Sequence, residues 1–121
     1  MAKVSAHGNI LLTYLSPKRR GLIRYMSDGT VLRRTPFEGW KIFGHAKNRL
    51  DLTDYLAFVE TLRAKVAGYP AWTRVTSIPS FDALRRMEQD GICETPSGHR
   101  VEPDGRGPDG SPSWLLVFGL I

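Results

Sequence analysis

Residues 9–43 alternate short apolar, β-prone runs with turn residues, a pattern typical of an antiparallel meander. Three such runs occur, at residues 9–15, 21–26 and 30–35. Pro17 ends the first run because proline cannot donate to a strand ladder, and Asp28-Gly29 favours a tight hairpin turn because glycine accepts a positive φ. A fourth strand is predicted at residues 40–43, ending at Gly44.

The length of the second turn decides which side chains face each other across the hairpin. If Asp28-Gly29 alone forms the turn, Arg24 lies opposite Arg33, and such opposed like charges lower stability unless an anion compensates them. A turn one residue longer places Arg24 opposite Leu32 and removes that repulsion. The sequence leaves both registers open.

After residue 50 the apolar period changes from that of a strand to that of a helix. The positions that share one predicted helical face are Leu52, Tyr55, Leu56, Val59, Leu62 and Val66. Asp51 is a suitable N-cap, Leu50 and Tyr55 occupy hydrophobic-staple positions, and Gly68 stands where a left-handed C-terminal residue is expected. This pattern predicts a helix over residues 52–67.

A second, shorter helix is predicted over residues 81–89, with Ser80 as its N-cap and Gly91 at its end. Ile92 is expected to fold back towards Met87. The connector before this helix, residues 69–79, contains two prolines and Trp72.

The C-terminal part predicts a hairpin and a closing strand. Residues 92–94 and 99–102 flank Thr95-Pro-Ser-Gly98, a short turn sequence, and residues 103–113 form a Gly/Pro-rich loop. Residues 114–118 are apolar throughout, as in a strand buried on both faces. The predicted fold class is α+β: an N-terminal antiparallel meander packed by one long amphipathic helix, then a short helix, a β-hairpin and a C-terminal strand.

Length and composition favour one domain over residues 1–121, with sub-lobes at 1–50 and 51–121, since 121 residues with 41% apolar content suit a single core. The lone Cys93 excludes an internal disulfide and agrees with a reducing compartment. No apolar run reaches roughly 18 residues and no signal-peptide pattern is visible. We therefore expect a cytoplasmic protein without membrane association.

Positive charge is concentrated in the first sub-lobe. Ten of the 17 Lys and Arg residues lie among the first 50 positions with two acidic residues, whereas the rest of the chain holds seven cations and ten acids. Aromatic residues interleave with these cations, a combination that suits phosphate contact and base stacking. The predicted nucleic-acid-binding residues are Lys18, Arg19, Arg20, Arg24, Arg33, Arg34, Trp40 and Lys41.

A winged helix-turn-helix is an alternative interpretation, in which Arg85 and Arg86 project from a recognition helix and residues 95–99 form the wing. Two features argue against it. The connector before Ser80 is far longer than a helix-turn-helix turn, and the helix itself carries net negative charge.

Metal and catalytic chemistry are weakly indicated. Cys93 and His99 would be hairpin neighbours, but structural zinc needs four ligands, with only His7 and His45 as further soft candidates. Glu102, Asp104 and Asp109 lie in or beside the Gly/Pro-rich loop, but their spacing is not that of an EF-hand. No nucleophile elbow, phosphate-binding glycine loop or HExxH helix appears. We expect no metal, no cofactor and no catalytic residue.

The sequence thus favours a small non-enzymatic protein whose basic, aromatic-interleaved sheet face forms one continuous positive surface and binds DNA or RNA mainly through phosphate contacts. The alternative is a protein-interaction or inhibitor module, of the kind that phages and mobile elements use as accessory proteins, which binds a nucleoprotein machine or an acidic protein surface. Its partner-binding residues would be Trp72, Arg85 and Arg86.

Overall fold

The computed structural model describes residues 7–46 and 51–121. The predicted meander is confirmed as a four-stranded antiparallel sheet in the order β1-β2-β3-β4. Its strands are β1 (Ile10–Ser16), β2 (Gly21–Met26), β3 (Thr30–Arg34) and β4 (Lys41–His45). Strand β4 continues through Gly44 instead of ending there: Gly44 pairs with Val31 and Ile42 pairs with Leu32, so Phe43 is the extra residue of a bulge.

The β2–β3 hairpin has the longer of the two possible turns. Met26 and Thr30 end and begin the flanking strands, and Gly29 has a φ of 93°. The Asp28 carboxylate accepts the Thr30 amide at 2.8 Å, which holds the turn. Arg24 therefore pairs with Leu32, and the direct opposition of Arg24 and Arg33 does not occur.

Helix α1 (Leu52–Ala67) has the predicted bounds, and the Asp51 side chain caps it by accepting the Asp54 amide. The apolar stripe is narrower than predicted, because only one edge of it reaches the sheet: Leu52 and Leu56 are 50% and 41% exposed. The predicted staple residue Leu50 lies outside the described residues.

The C-terminal end of α1 differs from prediction. Gly68 has right-handed helical angles, with φ −87°, and its N–H bonds to the Lys65 carbonyl. The orphan carbonyls are satisfied by a side chain instead: Arg74 donates to the carbonyl oxygens of Ala67 and Tyr69, at 2.9 and 2.8 Å. An arginine cap makes a left-handed glycine unnecessary.

After α1 the chain forms a 3₁₀ helix at Ala71–Arg74, followed by α2 (Phe81–Asp90), β5 (Cys93–Glu94) and β6 (Arg100–Val101). The Ser80 cap and the left-handed Gly91 are both confirmed. Met87 packs against the core, whereas Ile92 remains half exposed and outside it.

The predicted closing strand at 114–118 is wrong, because these residues form the short helix α3 (Trp114–Val117). Ser113 caps it by accepting the Leu116 amide at 3.1 Å. A short apolar run does not distinguish a buried strand from a buried helix, and here the capping serine decides between them.

The sheet separates two cores. One sheet face packs against α1 through Tyr14, Ile23 and Tyr25, and we call it the helix face. The other, the C-terminal face, packs through Leu15 and Leu22 against α2, β5 and α3. Helices α1 and α2 thus lie on opposite sides of the sheet, which excludes a helix-turn-helix made from this pair.

Within the described part of the chain, no helix combines the length and apolar character that crossing a membrane requires.

Candidate functional site

Strand alternation divides the predicted cations between the two sheet faces. Arg33 pairs with Ile23 and with Lys41 and so belongs to the helix face. Arg24 and Arg34 pair with Leu32 and Leu22 and belong to the C-terminal face. The expected continuous surface through all eight predicted residues is therefore not formed, because neighbouring side chains on a strand point in opposite directions.

Arg19 and Arg33 converge on the helix face, at the ring of Phe43. Their guanidinium carbons lie 5.6 and 5.7 Å from the ring centroid. The ring is 46% exposed although it is held by strand β4. Neither arginine belongs to an ion pair among the described residues, so both charges are uncompensated by a carboxylate.

Gly21 makes room for Arg33. A Cβ atom at Gly21 would lie 3.3 Å from the Arg33 Cγ and only 2.6 Å from the Arg34 carbonyl oxygen. The Arg33 stem thus crosses the sheet directly over the glycine. Its Nε is buried and has no hydrogen-bond acceptor among the residues that the structure describes. Buried donors are normally paired, and this one is an exception among the described residues.

Two adjoining recesses run between the helix face and α1, and we call them together the basic groove. Their volumes are about 390 and 320 Å³, and both are bordered by Arg19, Tyr25 and Phe58. The larger recess adds Lys18, Lys65 and Tyr69, and the smaller one adds Phe43 and His45. Among the described residues that line the groove there is no Asp or Glu, and Lys18, Arg19 and Lys65 give its lining a positive charge.

Tyrosines form the floor of the groove. The Tyr14 ring meets Tyr69 edge-on at 6.2 Å, and Tyr25 meets Phe58 in the same way at 5.8 Å. Burial, followed by the neighbouring Tyr25, raises the pKa of Tyr14 to about 12. Its hydroxyl therefore stays neutral at physiological pH and brings no negative charge beneath the cations.

The C-terminal face uses its cations internally. The Arg24 guanidinium carbon lies 3.9 Å from the Trp40 ring centroid, and its Nε donates to the Thr13 hydroxyl at 3.0 Å. Burial and the nearby Arg34 lower the pKa of Arg24. Trp40 is partly buried in the C-terminal core, so Arg24 occupies the ring that the sequence suggested as a stacking platform.

The remaining predicted cations lie apart from the Phe43 cluster. The Arg20 guanidinium group packs against Gly119 and not against Phe43: a Cβ atom added at Gly119 would lie 2.5 Å from the Arg20 guanidinium carbon. Lys41 stays on the helix face but forms an ion pair with Glu38 at 3.1 Å. Lys18 is exposed at the rim of the basic groove.

The predicted partner-binding residues do not form one cluster with the groove. Trp72 is half-buried in the 3₁₀ helix. Arg85 and Arg86 are exposed on α2, which packs on the C-terminal face.

Other polar candidates have structural contacts. Cys93 is buried, with its Sγ 3.5 Å from Met87 Sδ. The Asp109 carboxylate accepts hydrogen bonds from the hydroxyls of Ser97 and Ser111, at 2.6 and 2.5 Å. No group of three His, Cys, Asp or Glu side chains suited to a metal ion occurs within residues 7–46 and 51–121.

Sequence reasoning missed three groove residues: Phe58, Lys65 and Tyr69. Phe58 lies four residues before Leu62, and Lys65 lies three residues after it. This i, i+4, i+7 spacing could have indicated that the three side chains share one helix face. Tyr69 follows the helix in a connector, and no periodic signal marks it.

Comparisons of this chain with protein-family models, with curated proteins and with solved structures found no match. The function is therefore argued from the residues of the site.

Proposed function

We propose that this protein is a small, non-enzymatic nucleic-acid-binding protein that holds phosphate groups in the basic groove. The observation that carries the proposal is the convergence of Arg19 and Arg33 at Phe43 without a carboxylate partner among the described residues. Lys18 and Lys65 extend the positive charge along the groove. Phosphates are bound by such flexible or planar cations, and exposed rings beside them suit bases.

The test is a titration of binding against salt. With four cations in contact with phosphates, the logarithm of the association constant should fall against the logarithm of salt concentration with a slope of roughly −3. Binding of fluorescein-labelled oligonucleotides is followed by anisotropy. A flat dependence on salt would remove the electrostatic basis of the proposal.

Two charge-reversed variants locate the interface. Arg19→Glu/Arg33→Glu should weaken binding by about 100-fold or more at 0.1 M salt, because each reversal replaces attraction to phosphate by repulsion. Arg85→Glu/Arg86→Glu changes the net charge equally but lies on α2, beyond the C-terminal face. Its affinity should change by about threefold or less, because these exposed charges are on the opposite side of the sheet from the groove and are screened by salt. Equal losses in both variants would indicate a response to net charge alone.

A protein-interaction module is the second candidate, favoured by an apolar patch at the other side of the molecule. The rings of Phe37 and Phe81 lie 5.2 Å apart, and both are exposed, as is Ile42 on the edge strand. Exposed apolar clusters of this kind suit protein contacts. Purification from the native lysate with and without nuclease separates the candidates: a specific polypeptide retained after nuclease treatment supports the second, whereas co-purified nucleic acid supports the first.

A further inference from the structure

We infer that the basic groove selects single-stranded over double-stranded nucleic acid, by stacking an unpaired base on Phe43 while Arg19 and Arg33 hold the adjoining phosphates. The inference rests on the proposed function and adds the form of the ligand. It applies equally to DNA and RNA, since an unpaired base and a phosphodiester are common to both.

The first step concerns what Phe43 presents. Its ring is nearly half exposed on the edge strand, and two guanidinium groups approach it. A planar base contacting this ring would place its own phosphates near Arg19, which lines the groove, and near Arg33, which lines neither recess but approaches the same ring. Base-aromatic stacking tolerates any base, because every base has a π face.

The second step concerns the shape of the groove. Phe58 separates the recess that contains Phe43 from the one that contains Tyr69, since it borders both. Aromatic walls inside a recess reach bases only when these are unpaired, because in a duplex the bases are stacked inside and the phosphates lie outside. A flat basic surface would suit a duplex, whereas a recess with aromatic sides suits a flexible strand.

The third step concerns Arg33. Its stem is fixed over Gly21 and its buried Nε has no acceptor among the described residues. With the stem fixed in this way, the terminal N–H groups of the guanidinium can bind a phosphate through a planar, directional contact that an ammonium group does not reproduce. Arg33→Lys, which retains the charge, should therefore lose affinity for the strand.

The experiment measures anisotropy for a 12-nucleotide DNA strand, the RNA strand of the same sequence and the corresponding DNA duplex, all at one salt concentration. The unmodified protein should bind both strands about tenfold or more tightly than the duplex. Phe43→Leu, which retains an apolar side chain without the ring, should weaken strand binding by about fivefold or more and leave duplex binding unchanged. Phe37→Leu removes an exposed ring on the other side and should change neither.

Phe58→Leu provides a second variant at the groove, and circular dichroism with thermal melting confirms that each variant is folded. Duplex binding as tight as strand binding, or an unchanged strand affinity in folded Phe43→Leu and Phe58→Leu, would overturn the inference and leave the proposed function standing. Absence of salt-dependent binding to all three oligonucleotides would overturn both.

Discussion

Arg24 places its guanidinium carbon 3.9 Å from the centroid of the Trp40 ring, on the sheet face opposite to the basic groove. Both residues belong to the basic half of the sequence and were expected to bind a ligand. In the structure their side chains contact each other instead. The contact joins β2 to the segment before β4. In the basic groove the Phe43 ring remains 46% exposed, with two guanidinium groups at the longer distances of 5.6 and 5.7 Å.

Trp40→Leu should lower the free energy of unfolding by about 1 to 3 kcal/mol, because it removes a partly buried ring and the cation-π contact with Arg24. Oligonucleotide affinity should stay within about twofold, as the ring is turned from the groove. Urea denaturation and anisotropy measure the two quantities. Phe43→Leu should show the reverse, with binding weakened and stability little altered; a binding defect in Trp40→Leu without a loss of stability would contradict this division.

Tyr55→Phe should lower the free energy of unfolding by about 1 kcal/mol. Tyr55 is fully buried in α1, and its hydroxyl donates to the Met26 carbonyl oxygen at the end of β2. The loss is moderate because that oxygen also accepts the Gly29 amide, at 3.0 Å. Tyr69→Phe, at a more exposed ring, is the matched control and should be close to neutral in urea denaturation. Equal effects of the two variants would show that the buried hydrogen bond adds nothing to stability.

Gly21→Ala should destabilise the protein by about 2 kcal/mol or more, because the new Cβ would lie 2.6 Å from the Arg34 carbonyl oxygen and force β2 and β3 apart. Gly39→Ala, where a Cβ meets nothing within 4 Å, should change stability by less than about 0.5 kcal/mol. Thermal melting by circular dichroism compares them. A neutral Gly21→Ala would mean that the strands accommodate the methyl group without separation.

Ser113→Ala should lower the free energy of unfolding by about 2 to 3 kcal/mol. The Ser113 hydroxyl is buried, caps α3 through the Leu116 amide and donates to the Pro103 carbonyl oxygen. Ser80→Ala removes a more exposed cap, on α2, and should cost about 1 kcal/mol. Guanidinium denaturation measures the loss in the free energy of unfolding for each variant. A larger loss in Ser80→Ala than in Ser113→Ala would contradict the role assigned to burial.

Acid should weaken the C-terminal loop through Asp109. Hydrogen bonds from Ser111 and Ser97 lower the pKa of this carboxyl from 3.8 to about 2. A carboxyl whose pKa is lower in the folded state stabilises that state fully above its unfolded pKa, and the contribution is lost as the pH falls from about 4 towards 2. In Asp109→Asn, the urea midpoint should therefore fall less between pH 5 and pH 2.5 than in the unmodified protein.

The control for that measurement is Asp104→Asn, which removes one carboxylate from the same loop. The urea midpoint of this variant should fall by as much between pH 5 and pH 2.5 as that of the unmodified protein. An Asp109→Asn variant with the unmodified dependence on pH would show that these serine hydrogen bonds do not stabilise the ionised form.

Local patterns predicted the main elements because their signals lie within a few residues. Asp51 and Ser80 mark the starts of α1 and α2 by capping their first turns, and Asp28-Gly29 marks the hairpin. The same locality explains the errors. The helix at Trp114–Val117 depends on a capped turn packed into a core, and the termination of α1 depends on Arg74, which reaches back to Ala67.

The sequence by itself determined the α+β class, most helix and strand positions and the concentration of positive charge in the first half, since each follows from periodicity, capping or composition. Only the tertiary structure decided which cations meet. The turn at Ser27–Gly29 sets the register, the register assigns Arg33 and Arg24 to opposite faces, and α1 then adds Phe58 and Lys65 to one of them. The physical reason is that a strand alternates its side chains with a period of two, so neighbours in sequence are separated by the thickness of the sheet while distant residues converge across it.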